Sequence, residues 1–398
     1  MQTTNWTRKK LLLFSILVIG AVLLLIEGGF RIWFYFQTKG LHTSLYIQGS
    51  SLQMEDSTLI FRNRPFQLDF LSKFQHNEEG MRSAPGEVFM PEKKNNDYWV
   101  FLFGASAMEG MGSNKDGEWM DITGRTDYPW NETIAFYLEK YLKEHIKDRN
   151  VRVFNAANTS YTIEQSRLRY EALAAKYRID YMVTMDGQNE PPVLEPTQTV
   201  FDFLQKDWAN RPTKKFPLSW IIPLTQHSAF AYQVKQQSFH RRAAQRLKQN
   251  SPRRQYWYDQ TFTGFKFKDP DAGMERALTA YFQSLQDYKH LLLQKGQKGL
   301  ILLQPHLIFR DSSRMNITEK AVQHYYGAAY NDPATNSFLR LQRSRWEPYV
   351  SGRDPYFATM NWADSATIPV FTDYCHFTPE MNKQVAIFIG EKILASLK

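Results

Sequence analysis

Hydrophobic positions in this chain fall into three kinds of run, and their spacing predicts most of its architecture. The first kind is continuous. Residues 11–26 are apolar except for Ser15 and Gly20, and low charge persists to Phe36, interrupted by Glu27 and Arg31. At 1.5 Å per residue a bilayer takes about 20 residues, so this run predicts a membrane helix that includes residues 27–30. Arg8, Lys9 and Lys10 precede it, no small-x-small cleavage pattern follows, and Trp33, Phe34, Tyr35 and Phe36 suit an interfacial belt. The expectation is an uncleaved, single-pass anchor in an inner or plasma membrane. Its basic leader stays cytoplasmic, and the rest of the chain lies on the periplasmic or other extracytoplasmic side.

The second kind is short and rich in aromatic and β-branched residues: 98–103, 151–154, 179–185, 300–304 and 368–371 predict buried strands. The third is amphipathic, and 132–147, 163–177, 273–294 and 379–397 predict helices. Strand and helix alternate, which calls for an α/β fold with a mostly parallel sheet covered by helices. The alternation lapses between residues 191 and 272, where Pro191, Pro192, Pro196, Pro212, Pro217 and Pro223 force an irregular start before a helical pattern over 228–248. The expected organisation is a leader and transmembrane anchor over 1–38 and a juxtamembrane flank over 39–95. A catalytic domain over 96–398 follows, with an insertion at about 191–272.

Composition adds two things. The 28 Phe, 21 Tyr and 10 Trp, including Tyr256, Trp257 and Tyr258 in a row, fit a folded protein with a lined groove and argue against disorder. The net charge of +9 is uneven: no acid occurs between Asp207 and Asp259, where Lys235, Arg241, Arg242, Arg246, Lys248, Arg253 and Arg254 fall. That tract fits lipid headgroups, an anionic polymer or a partner protein, and equally a solvated helix face. Nucleic acid is not an expected partner, because neither zinc-ligand spacing nor an RNA-binding aromatic motif accompanies it. With Cys375 as the single cysteine an intramolecular disulfide is ruled out.

Candidate chemistry sits at the strand ends. The run 98–103 breaks at Gly104-Ala105-Ser106, and Asp373-Tyr374-Cys375-His376 lies just before the last helix. A serine hydroxyl is a poor nucleophile at neutral pH; it needs an imidazole to take its proton and a carboxylate to orient that imidazole. Amide N–H groups where a helix starts suit a developing oxyanion. Taken singly, Ser106 fits a turn or helix cap, Asp373 a loop-closing hydrogen bond, and His376 a helix-entry residue. His306, after the run 300–304, fits a structural hydrogen bond or a contact to substrate. Cys375 suits buried packing better than nucleophilic attack, and Asp186 and Glu190 suit a loop-orienting role. No spacing here calls for a metal or an organic cofactor.

Taken together, four blocks resemble the SGNH, or GDSL-like, hydrolase family. The first is Phe103-Gly104-Ala105-Ser106, with Ala105 where many members carry Asp. The second runs from Val153 through Asn155, Asn158 and Ser160 to Thr162, with Ser160 where Gly is usual. The third is Met185-Asp186-Gly187-Gln188-Asn189-Glu190. The fourth is Asp373 to Asn382, with Met381 where Gly is common. The resemblance implies a three-layer sandwich, Ser106 as nucleophile, His376 as base, Asp373 as its orienting acid, and the Ser106 amide, Ser160 amide and Asn189 side chain as oxyanion donors. It implies carboxylic ester chemistry through an acyl-enzyme.

The expected substrate is an acylated cell-envelope glycan or another ester, and the leading expectation is an O-deacetylase. An O-acetyltransferase working with a membrane acyltransferase that supplies the acyl group is the chemical alternative, and a noncatalytic envelope scaffold is the non-enzymatic one.

Overall fold

The computed structural model describes residues 7–37, 53–66, 68–69, 74–84, 86–112, 126–210, 228–231, 234, 237, 269–317, 319–320, 323, 333–352 and 354–398. The basic tract, the aromatic row 256–258, and most of the predicted helix 228–248 lie outside the described residues. The chain divides into two compact units, Met1–Leu52 with Asn210–Gln245, and Gln53–Ala209 with Arg246–Lys398.

In the first unit, helix α1 (Arg8–Gln37) carries the continuous apolar run, and its stretch Arg8–Trp33 is long and apolar enough to cross a bilayer. Its acid is not idle. Glu27 accepts hydrogen bonds from Ser228 Oγ (2.8 Å), Ala229 N (2.9 Å) and Phe230 N (3.2 Å), and from Arg31 Nε (2.8 Å) on its own helix. A carboxylate thus satisfies the first amides of a second helical segment, while Phe30 and Phe230 pack with ring centroids 5.5 Å apart.

The second unit is built on an eight-stranded sheet. Its parallel part comprises β6 (Asp97–Gly104), β9 (Asn150–Asn155), β10 (Tyr181–Asp186), β11 (Lys298–Leu303) and β12 (Phe357–Ala358). The flanking segment extends the sheet beyond β9 with β5 (Arg82–Ser83), β4 (Phe74–His76) and β3 (Leu68–Asp69), each antiparallel to the strand before it, giving the order β12-β11-β10-β6-β9-β5-β4-β3. Two separate antiparallel pairs join β1 (Gln53–Asp56) to β2 (Ile60–Asn63) and β7 (Met111–Gly112) to β8 (Thr126–Asp127).

Strand β6 shows why its sequence is apolar throughout. Successive side chains point to opposite faces, so Tyr98, Val100 and Leu102 enter one core while Trp99, Phe101 and Phe103 enter the other. Helices α3 (Ile134–His145) and α8 (Pro379–Leu397) cover the first core; α4 (Ile163–Ala174), α6 (Pro270–Gln294) and α7 (Pro333–Ser351) cover the second, and α5 (Val200–Asn210) follows β10 in the chain. Three layers result. The helices start at local signals: Thr133 Oγ1 accepts from Phe136 N (3.3 Å), Thr162 and Gln165 form a capping box, and Thr378 Oγ1 accepts from Met381 N (3.1 Å) ahead of Pro379. Each such cap is worth about 1 kcal/mol.

One expected strand is replaced. Residues 368–371 do not join the sheet; β12, at Phe357–Ala358, takes the edge beside β11. Pro369 lacks an N–H, and the amides of Val370 and Phe371 donate instead to Glu319 Oε1 at 3.0 and 3.1 Å. Phe371 keeps only an isolated bridge to Phe377.

The parallel strands run in the spatial order of a doubly wound sheet, with β6 and β10 adjacent where the chain's winding reverses direction. Loops leaving the carboxyl ends of two such strands diverge to opposite faces and open a crevice between them. Ser106 follows one of these strands and Asn189 the other.

Candidate active site

The turn after β6 is set by a close approach. Gly104 has φ +129°, and a Cβ there would stand 2.4 Å from the Met185 carbonyl of β10, so no side chain fits. Beyond it, Ala105 is buried and Ser106 opens the one-turn helix α2 (Ser106–Glu109), which ends on the left-handed Gly110. Ser106 is 7% exposed.

The loop before α8 brings in the other two groups. His376 Nε2 lies 2.7 Å from Ser106 Oγ, and His376 Nδ1 lies 2.6 Å from Asp373 Oδ2. The second Asp373 oxygen accepts the amides of Cys375 (2.9 Å) and His376 (2.8 Å), which fixes the carboxylate in its own loop. That loop is clamped from outside: Leu307 N donates to Tyr374 O (2.9 Å), Gln304 Nε2 to Cys375 O (2.9 Å), and Tyr128 Oη to Phe377 O (2.8 Å). With Nδ1–H directed at Asp373, Nε2 is the acceptor that faces the serine hydroxyl.

Burial pushes the Asp373 carboxyl up and the His376 imidazole down, but each group's charge on the other, with their hydrogen bonds, outweighs burial. The carboxyl is held below its usual range and the imidazole well above its own.

Val153 to Thr162, the second block, and the start of α4 after it are laced to Met185 to Glu190, the third block. Asn189 Nδ2 donates to Tyr161 O (3.1 Å), Ile163 N to Glu190 Oε1 (2.7 Å), and Ser166 Oγ to Asp186 Oδ1 (2.8 Å). Gly187, at φ +115°, allows the turn that presents Asn189; a Cβ there would meet Leu303 Cδ1 at 2.6 Å. Ser160 stands at φ +68°, in the left-handed region that favours glycine. Asp186 and Glu190 are buried loop-holding acids, pushed up by burial to about 6 and about 8 respectively. Met381, at the glycine position of the fourth block, is fully buried in the α3–α8 core.

The remaining candidates separate cleanly. His306 is 2% exposed, accepts from Ile308 N at Nδ1 (3.3 Å), and is driven to about 3 by burial, so it is a neutral prop beneath Tyr374. Cys375 is buried, and burial pushes its thiol up, away from thiolate character. Asp373, Cys375 and His376 bring ligand-type atoms within 4.8 Å of one another, but Asp373 and His376 already spend theirs on each other.

A third set of residues was not singled out by sequence. Glu109, three residues after Ser106, is buried and accepts from Thr159 N (2.6 Å) and Asn63 Nδ2 (2.7 Å). Arg82, 1% exposed, donates to Gly110 O (3.2 Å) and to Tyr128 O. The one local signal is the acid one helical turn after the serine.

No family model matches this chain, and no curated protein matches it. Among solved structures it is similar to a member of the lipolytic G-D-S-L family from Veillonella parvula (12% identity, 75% of this chain and 97% of that one, TM-score 0.34). It is also similar to Axe2, an acetylxylan esterase from Geobacillus stearothermophilus (12%, 74% and 94%, 0.33). A carbohydrate acetylesterase family member from Sinorhizobium meliloti is a third (12%, 75% and 98%, 0.36). At such identities and TM-scores, what the side chains do has to be read from this chain's own geometry.

Proposed function

We propose that this protein is a serine carboxylic ester hydrolase working through an acyl-enzyme. The observation that carries the reading is the 2.7 Å approach of His376 Nε2 to Ser106 Oγ across 270 residues of sequence, with Nδ1 held on a buried carboxylate. In this order serine is the nucleophile, imidazole its general base, and the carboxylate the group that orients the imidazole and stabilises the imidazolium that forms. His376 takes the proton from Ser106 as Oγ bonds to the ester carbonyl carbon. The Ser106 and Ser160 amides and the Asn189 amide group then stabilise the negative oxygen. When the carbon–alkoxy bond breaks, His376 returns its proton to the leaving alcohol. Water then adds to the acyl-enzyme, losing a proton to His376, and as the bond from the acyl carbon to Oγ breaks to release the acid, His376 returns that proton to Ser106 Oγ.

Our substrate assignment is an O-acetylated glycan of the cell envelope. A nucleophile only 7% exposed favours a short acyl group, and the apolar helix α1 supports retention at a membrane. On this reading α1 is a single-pass anchor, its N-terminus cytoplasmic, and the esterase unit acts outside the cytoplasm.

The test is acetate release from acetylated polysaccharide, alongside p-nitrophenyl acetate, butyrate and octanoate, for wild type and Ser106→Ala. Acetate release that vanishes in the variant, with activity falling along the chain-length series, is expected. Equal rates for wild type and variant would refute the role of Ser106. Appearance of labelled acetyl on a glycan acceptor, in place of free acetate, would move the assignment to acyl transfer.

A further inference from the structure

We propose that Glu109 is a positioning residue for the oxyanion turn: its buried carboxylate ties the turn at Thr159 and Ser160 to the short helix that carries Ser106. This rests on the reading of Ser106 and Ser160 given above.

The geometry comes from three separate parts of the chain. Glu109 ends the helix that Ser106 begins, and it is 3% exposed. One carboxylate oxygen accepts both the amide of Thr159 (2.6 Å) and its hydroxyl (2.5 Å). The other accepts Asn63 Nδ2 (2.7 Å) from β2, with His76 Nε2 of β4 at 3.5 Å. The helix itself is fastened from behind, because Asn155 Nδ2 donates to Met108 O (3.0 Å) and Glu109 O (3.2 Å).

Ser160 is the next residue, and its left-handed φ of +68° is one that a residue with a Cβ seldom adopts. Such a turn does not hold itself; its neighbours must hold it. Tyr161 is pinned on one side, through its amide to Asn158 O (3.1 Å), its hydroxyl to Phe61 O (3.0 Å) and its carbonyl to Asn189 Nδ2. Thr159 is pinned on the other side by Glu109. The Ser160 amide therefore points where these two clamps leave it.

The chemistry of the clamp suits a carboxylate. Thr159 N, Thr159 Oγ1 and Asn63 Nδ2 are all donors to it, and the Arg82 cation lies nearby. Burial pushes the Glu109 carboxyl up, but the hydrogen bonds of His76 and Thr159 and the charges of His76 and Arg82 bring it below the usual range. An ionised acceptor with two or more donors makes the stronger kind of hydrogen bond. Asn63 and His76 come from the strands preceding the catalytic blocks, so that segment supplies the backing of the site.

The experiment uses the full-length, detergent-solubilised chain with p-nitrophenyl acetate, and compares wild type with Glu109→Ala, Glu109→Gln and Thr159→Val. Displacing an oxyanion donor lowers kcat by roughly 10²-fold while leaving KM nearly fixed. Glu109→Ala should show that loss with KM within about threefold, and Glu109→Gln, which keeps acceptor oxygen but loses the charge, a smaller one. Thr159→Val, which removes only the hydroxyl tie, should fall between Gln and wild type and stands in for Glu109→Ala if that variant does not fold. A folded Glu109→Ala with kcat within threefold of wild type would overturn the proposal, as would a loss carried by KM alone or, where Glu109→Ala does not fold, a Thr159→Val with unchanged kcat. Ser106→Ala is run beside them: if it retains activity the reading of the nucleophile fails, whereas an inactive Ser106→Ala beside a fully active Glu109→Ala refutes only the clamp.

Discussion

Replacing Asp373 by Asn tests the arrangement most sharply, because the two ways of seating the amide differ in a calculable way. In one, the Asn oxygen keeps the two amides that Asp373 Oδ1 now accepts, from Cys375 at 2.9 Å and His376 at 2.8 Å, and its NH₂ faces His376 Nδ1. In the other, the NH₂ faces those two amides and leaves both without an acceptor in a buried loop, at about 1–3 kcal/mol each. The first orientation wins. It forces Nδ1 to accept, so the proton moves to Nε2, which then donates to Ser106 Oγ instead of receiving its proton. Tautomer reversal in a serine triad costs about 10⁴ in kcat, or about 5.5 kcal/mol. The assay is steady-state hydrolysis of p-nitrophenyl acetate from pH 5 to 9, and KM should change less than about threefold.

The pH profile supplies a second readout. The proposed mechanism needs neutral His376, whose folded pKa the Asp373 charge raises, so wild-type activity should climb along an acid limb above pH 6.5. Removing the charge moves that limb down. The stability signs are opposite for the two partners. His376, with its pKa raised, contributes stability that is complete below about 6.5 and is lost as pH rises through the folded value. Asp373, with its pKa depressed, contributes above about 3.8 and loses it as pH falls through the folded value. A variant with kcat within tenfold of wild type and an unmoved limb would refute the reasoning.

Three other outcomes are expected. Asn189→Ala should lower kcat about 10²–10³-fold with little change in KM, since one amide N–H is used on Tyr161 O and the other is left for the oxyanion; unchanged turnover would remove Asn189 from the site. Gly104→Ala should destabilise the fold by several kcal/mol, seen as a large drop in Tm, because its Cβ would meet Met185 O at 2.4 Å and its φ is +129°. Glu190→Gln should gain stability relative to wild type as pH rises from 5 to 9. A carboxyl raised to about 8 when folded favours folding only while protonated, and an amide still accepts the Ile163 N–H, so a constant Tm difference across that range would count against it.

What was legible in sequence was local or periodic. The run 98–103 announced β6 because a central parallel strand is apolar on both faces, and Thr378-Pro379 marked the start of α8 to the residue. Ser106, at the end of β6, and Asp373 and His376, in the loop before α8, were legible as candidates because their residue types suit the proposed chemistry. The strand at 368–371 misread a β-rich pattern whose amides Glu319, some fifty residues earlier, had already claimed. The Glu109 clamp was invisible for a related reason: Asn63 and Thr159 lie 46 and 50 residues away, and nothing in their own neighbourhoods signals a shared acceptor. Strands as short as β3 and β5, two residues each, leave no periodicity to read.

Strands β6 and β10 are interior members of the sheet, each hydrogen-bonded on both sides. Drift at the margins, as in two-residue β12, leaves their seam untouched. On the proposed function, the turns that carry Ser106 and Asn189 both leave this seam, so sequence change at the sheet margins can accumulate without displacing either.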